Sequence, residues 1–216
     1  MDLVWFGHSC FRIKGKETTV IMDPYDTSLG YSPNKLTARI VTISHPHPGH
    51  NGVAGVENNP KVINGPGEYE IADVFVVGIS TFHDSEKGAV RGKNVAYVID
   101  IDQVRFCHLG DIGHALSSQQ AGDLSDIDVL MIPVGGVSTI DGKAAAEITR
   151  LLNPKIVIPM HYHNHITTEL EPVDNFLKEM GLSEIPPQPK LTITCSNLPS
   201  ESQVALLSIP GGQSET

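Results

Sequence analysis

The stretch SHPHPGHN, residues 44–51, places three histidines within six positions and decides how the rest of the chain is interpreted. The six residues before it, ARIVTI, are largely apolar and β-branched, which predicts a buried strand. The loop after that strand therefore carries His45, His47 and His50, with Gly49 beside the last of them. Because side chains at positions i and i+2 of an extended segment project to the same side, His45 and His47 can reach one metal ion.

Three further polar residues follow predicted strands in the same way: His83, Asp111 and His161. In layered α/β proteins the loops after the strand ends converge on one edge, where ligands bind. Imidazole and carboxylate groups are accepted as ligands by zinc, manganese, iron and nickel, and a carboxylate such as Asp111 can bridge two cations. The spacing therefore predicts a metal site built from several strand ends. Four other histidines are expected to support that site or to lie on the surface: His108, His114, His163 and His165.

The composition narrows the class of protein. The chain has 216 residues and a formal net charge of −10, which disfavours binding to nucleic acid or to an anionic membrane. It holds no run of eighteen apolar residues and no recognisable secretion signal. Its odd trio of cysteines, Cys10, Cys107 and Cys195, indicates buried, reduced thiols in the cytoplasm. We expect a single domain over residues 1–216 with a frayed tail at 209–216.

The order of predicted elements is strands first, then alternating strands and helices. A hairpin is predicted at 95–101 and 104–107, and helices at 142–152 and 169–180. The last two strands, 191–195 and 203–209, are expected to pair with each other.

Five segments, taken in order, resemble the metallo-β-lactamase fold superfamily: SHPHPGH, TFHD, HLGDIG, PVGGVSTID and PMHYH. The opening WFGHSCFRIKGKETTVIMDPY resembles the subgroup of phosphorylated-ascorbate lactonases and related metal-dependent hydrolases. The resemblance implies an α/β fold, a four-layer αββα sandwich of two mixed sheets flanked by helices. It also implies that His45, His47 and His83 hold a first metal, that Asp111 bridges, and that His50 and His161 hold a second. Asp23 would support these ligands through hydrogen bonds, as ligand imidazoles require.

The sequence departs from the family pattern His-x-His-x-Asp-His, because Gly49 stands where that pattern has the aspartate. Glycine can neither bind the second metal nor hold the attacking water, so we expect a weaker or absent second ion and one or two ions per chain. His8 is the candidate substitute, because the predicted antiparallel pairing of residues 10–13 with residues 18–22 places it near Asp23. It could be a ligand, a general acid for the leaving group, or a hydrogen-bond donor to the substrate.

The predicted function is a cytoplasmic metal-dependent hydrolase, not a true β-lactamase. A metal-bound hydroxide would attack a lactone, an ester or a phosphodiester of small size, with Asp111 and His8 as catalytic residues and zinc as the first choice of metal. The backbone amides of Gly135 and Gly136 could receive an oxyanion or phosphate. Two alternatives stay open: a nuclease acting on RNA or single-stranded DNA, and a binding or sensory protein that has lost turnover at Gly49. The sequence leaves the oligomeric state open.

Overall fold

The computed structural model describes residues 1–31 and 35–210, so residues 211–216 of the predicted frayed tail lie outside the described chain. Its first part consists of short strands: β1 (Asp2–Trp5), β2 (Phe11–Lys14), β3 (Thr19–Met22), β4 (Leu36–Thr37), β5 (Ile40–Thr42), β6 (Val56–Glu57) and β7 (Lys61–Ile63). Longer strands and the α-helices follow: β8 (Gly67–Ile71), β9 (Val74–Phe82), β10 (Lys93–Ile101), β11 (Val104–His108), α1 (Ser118–Asp123), β12 (Val129–Pro133), α2 (Gly142–Leu152), β13 (Ile156–Met160) and α3 (Val173–Glu179). Two strands of two residues each come last: β14 (Leu191–Thr192) and β15 (Gln203–Val204).

Two large sheets form the centre of the fold. One has six strands in the order β14-β1-β2-β3-β5-β7, and the other has seven in the order β15-β13-β12-β11-β10-β9-β8. Each sheet contains both antiparallel and parallel pairs. The sheets pack face to face through one hydrophobic core, to which Phe11 and Ile13 contribute from the first sheet and Phe106 and Met131 from the second. The predicted α/β sandwich with two mixed sheets is therefore confirmed.

The outer faces of the two sheets are covered differently. The apolar side of α2, including Ala145 and Ile148, packs with α3 over the seven-stranded sheet. The outer face of the six-stranded sheet is covered by residues that follow β3, with 3₁₀ turns at Thr27–Leu29 and Val53–Gly55 and the small sheet of β4 and β6. The segments between β3 and β5 and between β5 and β7 thus form the outer layer on this side.

Tyr97 of β10 links the two sheets close to the histidine loop. Its ring is fully buried, and its hydroxyl donates a hydrogen bond of 2.9 Å to the carbonyl of Ile43, which directly follows β5. A buried phenol needs such a partner, since an unpaired hydroxyl in the core is costly. The bond therefore fixes the end of β5 against the opposite sheet.

Several local predictions are confirmed, and others are wrong. Helix α2 has the predicted bounds, and β10 and β11 form the predicted hairpin. The predicted pairing of the last two strands is wrong, because β14 pairs with β1 and β15 pairs with β13 in the other sheet. Helix α3 is shorter than predicted, since the extended backbone of Pro172 precedes its first residue. Cys10 and Cys107 are buried as predicted, whereas Cys195 is exposed. Among the described residues, no helix is long and apolar enough to cross a membrane.

Candidate metal centre

The two sheets contribute residues to one cluster at their common edge. His8 follows β1, Asp23 follows β3, and the loop with His45, His47 and His50 follows β5, all from the six-stranded sheet. The seven-stranded sheet contributes three residues that follow β9, β11 and β13, namely His83, Asp111 and His161. The structure therefore brings together the six histidines and Asp111 that were predicted as ligands or candidate ligands, with Asp23 beside them.

The carboxylate of Asp111 lies at the centre of this cluster. Its Oδ2 is 3.1 Å from the Nε2 of His50 and 3.3 Å from that of His161. The Nε2 atoms of His83 and His45 follow at 3.5 and 3.9 Å. Ligands of a tetrahedral zinc ion with bonds of 2.0–2.1 Å are separated by about 3.3 Å, so these spacings suit a shared ion.

The possible ligand atoms fall into two neighbouring groups. One group consists of His45, His47 and His83, and the other of His8, His50, Asp111 and His161. The first group is the one that the resemblance assigns to the first metal. The second contains the residues assigned to the second metal, together with His8. The arrangement thus offers two adjacent positions, with Asp111 in reach of ligands from both.

Asp23 orients the histidine loop from behind. Its Oδ2 accepts a hydrogen bond from Nδ1 of His50 (2.8 Å) and another from Oγ of Ser44 (2.5 Å), and its Oδ1 accepts from the Ser44 amide (2.7 Å). The Ser44 hydroxyl lies 2.9 Å from Nδ1 of His45, from which it can accept. One buried carboxylate therefore places the protons of both imidazoles on Nδ1 and leaves the Nε2 lone pairs directed into the cluster.

Asp111 is itself held in place by neighbouring polar groups. Its amide donates to Oδ1 of Asn94 (3.0 Å), and its Oδ1 accepts from the hydroxyl of Ser9 (3.2 Å). The preceding Gly110 has a positive φ of 56°, and a Cβ there would lie 2.4 Å from Asn94 Oδ1. The sharp turn after β11 therefore requires glycine, and it directs Asp111 Oδ2 to the histidines.

The charges of the cluster shift its pKa values strongly. Burial acts to raise the pKa of Asp111, but the charges of His161 and His50 outweigh it and hold that pKa well below the usual range. Burial likewise acts to lower the pKa of His50, but Asp111 and Asp23 outweigh it and raise this pKa to about 10. Burial, together with the charge of His50, lowers the pKa of His45 to about 3.

His8 lies in the space left by the missing aspartate. Its Nε2 is 3.1 Å from Nε2 of His50, and its ring centre is 4.2 Å from that of His161. A Cβ on Gly49 would lie only 2.6 Å from Nε2 of His8, closer than real Cβ atoms approach. Burial and the neighbouring histidines lower the pKa of His8 well below its usual value, which keeps the imidazole neutral.

The other histidines lie outside the ligand cluster. His108 is buried, and its Nε2 is hydrogen-bonded to the carbonyl of Ser9 (2.9 Å). The exposed His163 is within 3.1 Å of the Thr168 carbonyl through Nδ1, and His165 is also exposed. His114 accepts a hydrogen bond from the amide of Phe82. These residues have structural or surface positions.

The prediction for Gly136 needs correction, whereas the role of the Gly135 amide stays a prediction. The amide of Gly136 already donates to the Ile140 carbonyl (3.1 Å), so it is not free to receive an oxyanion. A Cβ on Gly135 would lie 2.2 Å from the carbonyl oxygen of His161. Glycine is therefore required at position 135 for close packing against the loop that carries His161.

The donor set fits a divalent transition metal. It consists of imidazole nitrogens and one carboxylate, which suit such ions. The Nε2 atom of His45 is buried and has no hydrogen-bond partner among the described residues, although unpartnered buried polar atoms are rare. An ion would supply that partner. A third group of close ligand atoms, from Asp23, His45 and His50, is explained by the supporting hydrogen bonds described above.

The supporting residues Ser9, Ser44 and Asn94 were missed at the sequence level. The serines directly adjoin His8 and His45, so a polar neighbour of a candidate ligand was an available signal. Asn94 gave none, because it lies near the start of strand β10, 17 residues before Asp111.

Comparisons with known proteins agree with this geometry. The family model described as the beta-lactamase superfamily domain matches residues 2–161. A UPF0173 metal-dependent hydrolase of Thermococcus onnurineus is 29% identical, over 82% of this chain and 91% of its own length. One of Methanopyrus kandleri is 26% identical, over 84% and 94%.

A solved structure from Thermotoga maritima, described as a candidate zinc-dependent hydrolase of the metallo-β-lactamase superfamily, is 38% identical. Its TM-score is 0.80, and the match covers 95% of this chain and 97% of that one. The match of the family model over most of the chain, the two-sheet sandwich and the convergent histidines lead to one conclusion: the chain belongs to the metallo-β-lactamase superfamily.

Proposed function

We propose that the protein is a metal-dependent hydrolase that cleaves a small lactone, ester or phosphodiester, with zinc as its metal. The observation that carries this proposal is the convergence of six imidazoles and the carboxylate of Asp111 on two adjacent positions at one edge of the sandwich. Relatives named as metal-dependent hydrolases and a solved structure described as a candidate zinc-dependent enzyme support it.

The residues of the cluster would have different roles in this reaction. A bound divalent ion lowers the pKa of water to about 7 and polarises a carbonyl or phosphoryl oxygen. His45, His47 and His83 would hold one ion, and His50 and His161 would bind on the other side of Asp111. Asp111 balances the positive charge of the centre, while Asp23 keeps the ligand imidazoles in the correct tautomer through the bonds from His50 and Ser44.

A small cleft beside His83 supports a small substrate. Its volume is about 160 Å³, and Arg91, Val137, Ser138 and Thr139 also line it. The guanidinium of Arg91 donates a 3.1 Å hydrogen bond to the carbonyl of Val137, which joins the two loops of the cleft. Asp84 and Glu86 line the cleft as well, so it is polar and carries charges of both signs, which would suit a small polar substrate. The net charge of −10 makes a nucleic acid a poorer substrate.

The proposal is tested with the zinc-loaded protein on a simple lactone, a p-nitrophenyl ester and bis(p-nitrophenyl) phosphate. We expect turnover of at least one substrate, abolished in His47→Ala and retained in the matched variant His163→Ala, because His163 lies outside the cluster. Cleavage of RNA or single-stranded DNA instead would support the nuclease alternative. Metal binding without turnover of any of these substrates would favour the binding-protein alternative and contradict the proposal.

A further inference from the structure

We infer that His8 is a metal ligand of the second position and replaces the aspartate that Gly49 has removed. The inference rests on the proposed function only in requiring that the protein binds metal. It goes further, because it assigns a different residue and a different loop to a ligand position. It also predicts that the second ion is retained, whereas the loss of the aspartate alone predicts a weakened or vacant position.

The first argument is one of space. The Nε2 atom of His8 and a Cβ on residue 49 would be only 2.6 Å apart, so an aspartate at position 49 would require the ring of His8 to move from its place. Gly49 itself has an ordinary φ, so its backbone does not demand glycine. The absence of a side chain at position 49 is therefore explained by the ring that lies there.

The second argument concerns distances to the other ligands. Nε2 of His8 is 3.1 Å from Nε2 of His50, close to the separation of about 3.3 Å expected between two ligands of one zinc ion. His50 is in turn 3.1 Å from Asp111 Oδ2, which is 3.3 Å from His161. A general acid would need room for a leaving group between itself and the ligands. The ring of His8 leaves no such room on the side of His50.

The third argument is that the backbone holds His8 in place. Gly7 and His8 both have positive φ, 95° and 51°, and the ring of Tyr31 packs where a Cβ of Gly7 would be. The carbonyl of His8 accepts from the indole of Trp5 (3.0 Å) and from the amide of His161 (3.1 Å). A strained conformation held by several bonds is typical of functional positions. The bond to His161 also couples two ligands from opposite sheets.

The test measures metal binding directly, with zinc and with cobalt as a spectroscopic probe. Metal per chain is counted by mass spectrometry after dialysis, and affinities are measured by calorimetry, for the wild type and for His8→Ala, Gly49→Asp and the double variant. His163→Ala is the matched control. We expect two ions in the wild type, loss or strong weakening of one ion in His8→Ala and in Gly49→Asp, and recovery in the double variant, where an aspartate has room.

Other results would overturn the inference. Two ions bound with wild-type affinity by His8→Ala would show that His8 is not a ligand. Failure of the double variant to recover the ion lost in His8→Ala would contradict the exchange of ligands. If His8→Ala does not fold, His8→Gln keeps the bulk and offers oxygen, and an unchanged cobalt spectrum in that variant would be equally contrary. Substrate turnover, measured in parallel, separates these results from a failure of the proposed function, and a wild type without metal would overturn both.

Discussion

At the scale of single residues, Asp23 shows how strongly the metal centre depends on a residue that orients the ligand imidazoles from behind. It has a positive φ of 43°, and its three hydrogen bonds fix Ser44 and His50. Because both oxygens act as acceptors, the carboxylate determines which nitrogen of each neighbouring imidazole carries the proton. Asp23 can orient these residues because its negative charge accepts hydrogen bonds from the Ser44 amide, the Ser44 hydroxyl and the imidazole of His50.

Replacing Asp23 by Asn therefore has a definite expected effect. The new amide nitrogen would face the N–H of His50 or the hydroxyl of Ser44, and His50 would lose its Nε2 lone pair or rotate. We expect zinc affinity to fall about 10–100-fold, as for other groups that orient ligand imidazoles, measured by competition with a chelating dye. Asp123→Asn, an exposed site on α1, is the control. Equal affinities for the wild type and Asp23→Asn would contradict this role.

Much of the site at this scale could be predicted from the sequence, and the reason is local. A histidine that directly follows a buried strand is carried to the sheet edge whatever the details of the packing, as for His83 and His161. The close approach of the His8 ring to position 49 could not be predicted, because the two residues are 41 positions apart in the sequence. Only the folded chain shows that a side chain at position 49 would meet this ring. The same applies to Gly136, because its amide donates to the Ile140 carbonyl across a loop whose closure the sequence pattern does not show.

At the scale of elements, the pairing of the two sheets near the site depends on Tyr97. We expect Tyr97→Phe to lower the free energy of unfolding by about 1–3 kcal/mol, because the Ile43 carbonyl would be left buried without this donor. Chemical denaturation checks the value. Tyr69→Phe is the control, since the Tyr69 hydroxyl donates to turn carbonyls nearer the surface. An equal effect in the two variants would contradict the special role of Tyr97.

The loop after β9 is held by Asp84, next to the ligand His83. The carboxylate accepts backbone hydrogen bonds from Arg91, Gly88, Val90 and Glu86, and these lower its pKa to about 2. Since the folded value lies below the unfolded value of about 3.9, the charged form stabilises the fold above pH 4. That contribution is lost as the pH falls through about 2.

We therefore expect Asp84→Asn to be less stable than the wild type at pH 6, with the difference shrinking between pH 4 and pH 2. Chemical denaturation across this range, with Asp123→Asn as the control, measures it. A difference that does not change with pH would show that the loop does not depend on the charge of Asp84.

Helices and strands were predicted correctly where the sequence pattern that indicates them lies within one continuous segment. Helix α2 was recognised from its helix formers and from its end before Asn153-Pro154, and the β10–β11 hairpin from the turn at Asp102-Gln103. The partners of β14 and β15 could not be identified in this way. These two-residue strands attach to opposite sheets, and their partners are set by which sheet edge is free.

At the scale of the whole molecule, the metal centre connects the two sheets, which the hydrophobic core already holds together. His8 and His50 come from one sheet, and Asp111 and His161 come from the other. An ion bound by all four can exist only in the folded sandwich. Zinc at about 100 times its dissociation constant should therefore stabilise the fold by about 2.7 kcal/mol, raising the melting temperature by roughly 5–10 °C.

Thermal unfolding with added zinc, and again with excess chelator, measures this effect. The shift should disappear with the chelator and should be smaller in His8→Ala than in His163→Ala. Identical melting temperatures with zinc and with chelator would mean that the ion does not bridge the two sheets.

The hydrogen bond from Trp5 to the carbonyl of His8 has a practical consequence. Trp5 is the only tryptophan of the chain, and its ring also packs 5.2 Å from that of Tyr162, the neighbour of His161. Its fluorescence comes from a single position beside the ligands, with no other indole to obscure it. A change in emission on loading the protein would therefore report the filling of the site in real time, without any attached dye, and stopped-flow mixing could resolve the order in which the two positions fill.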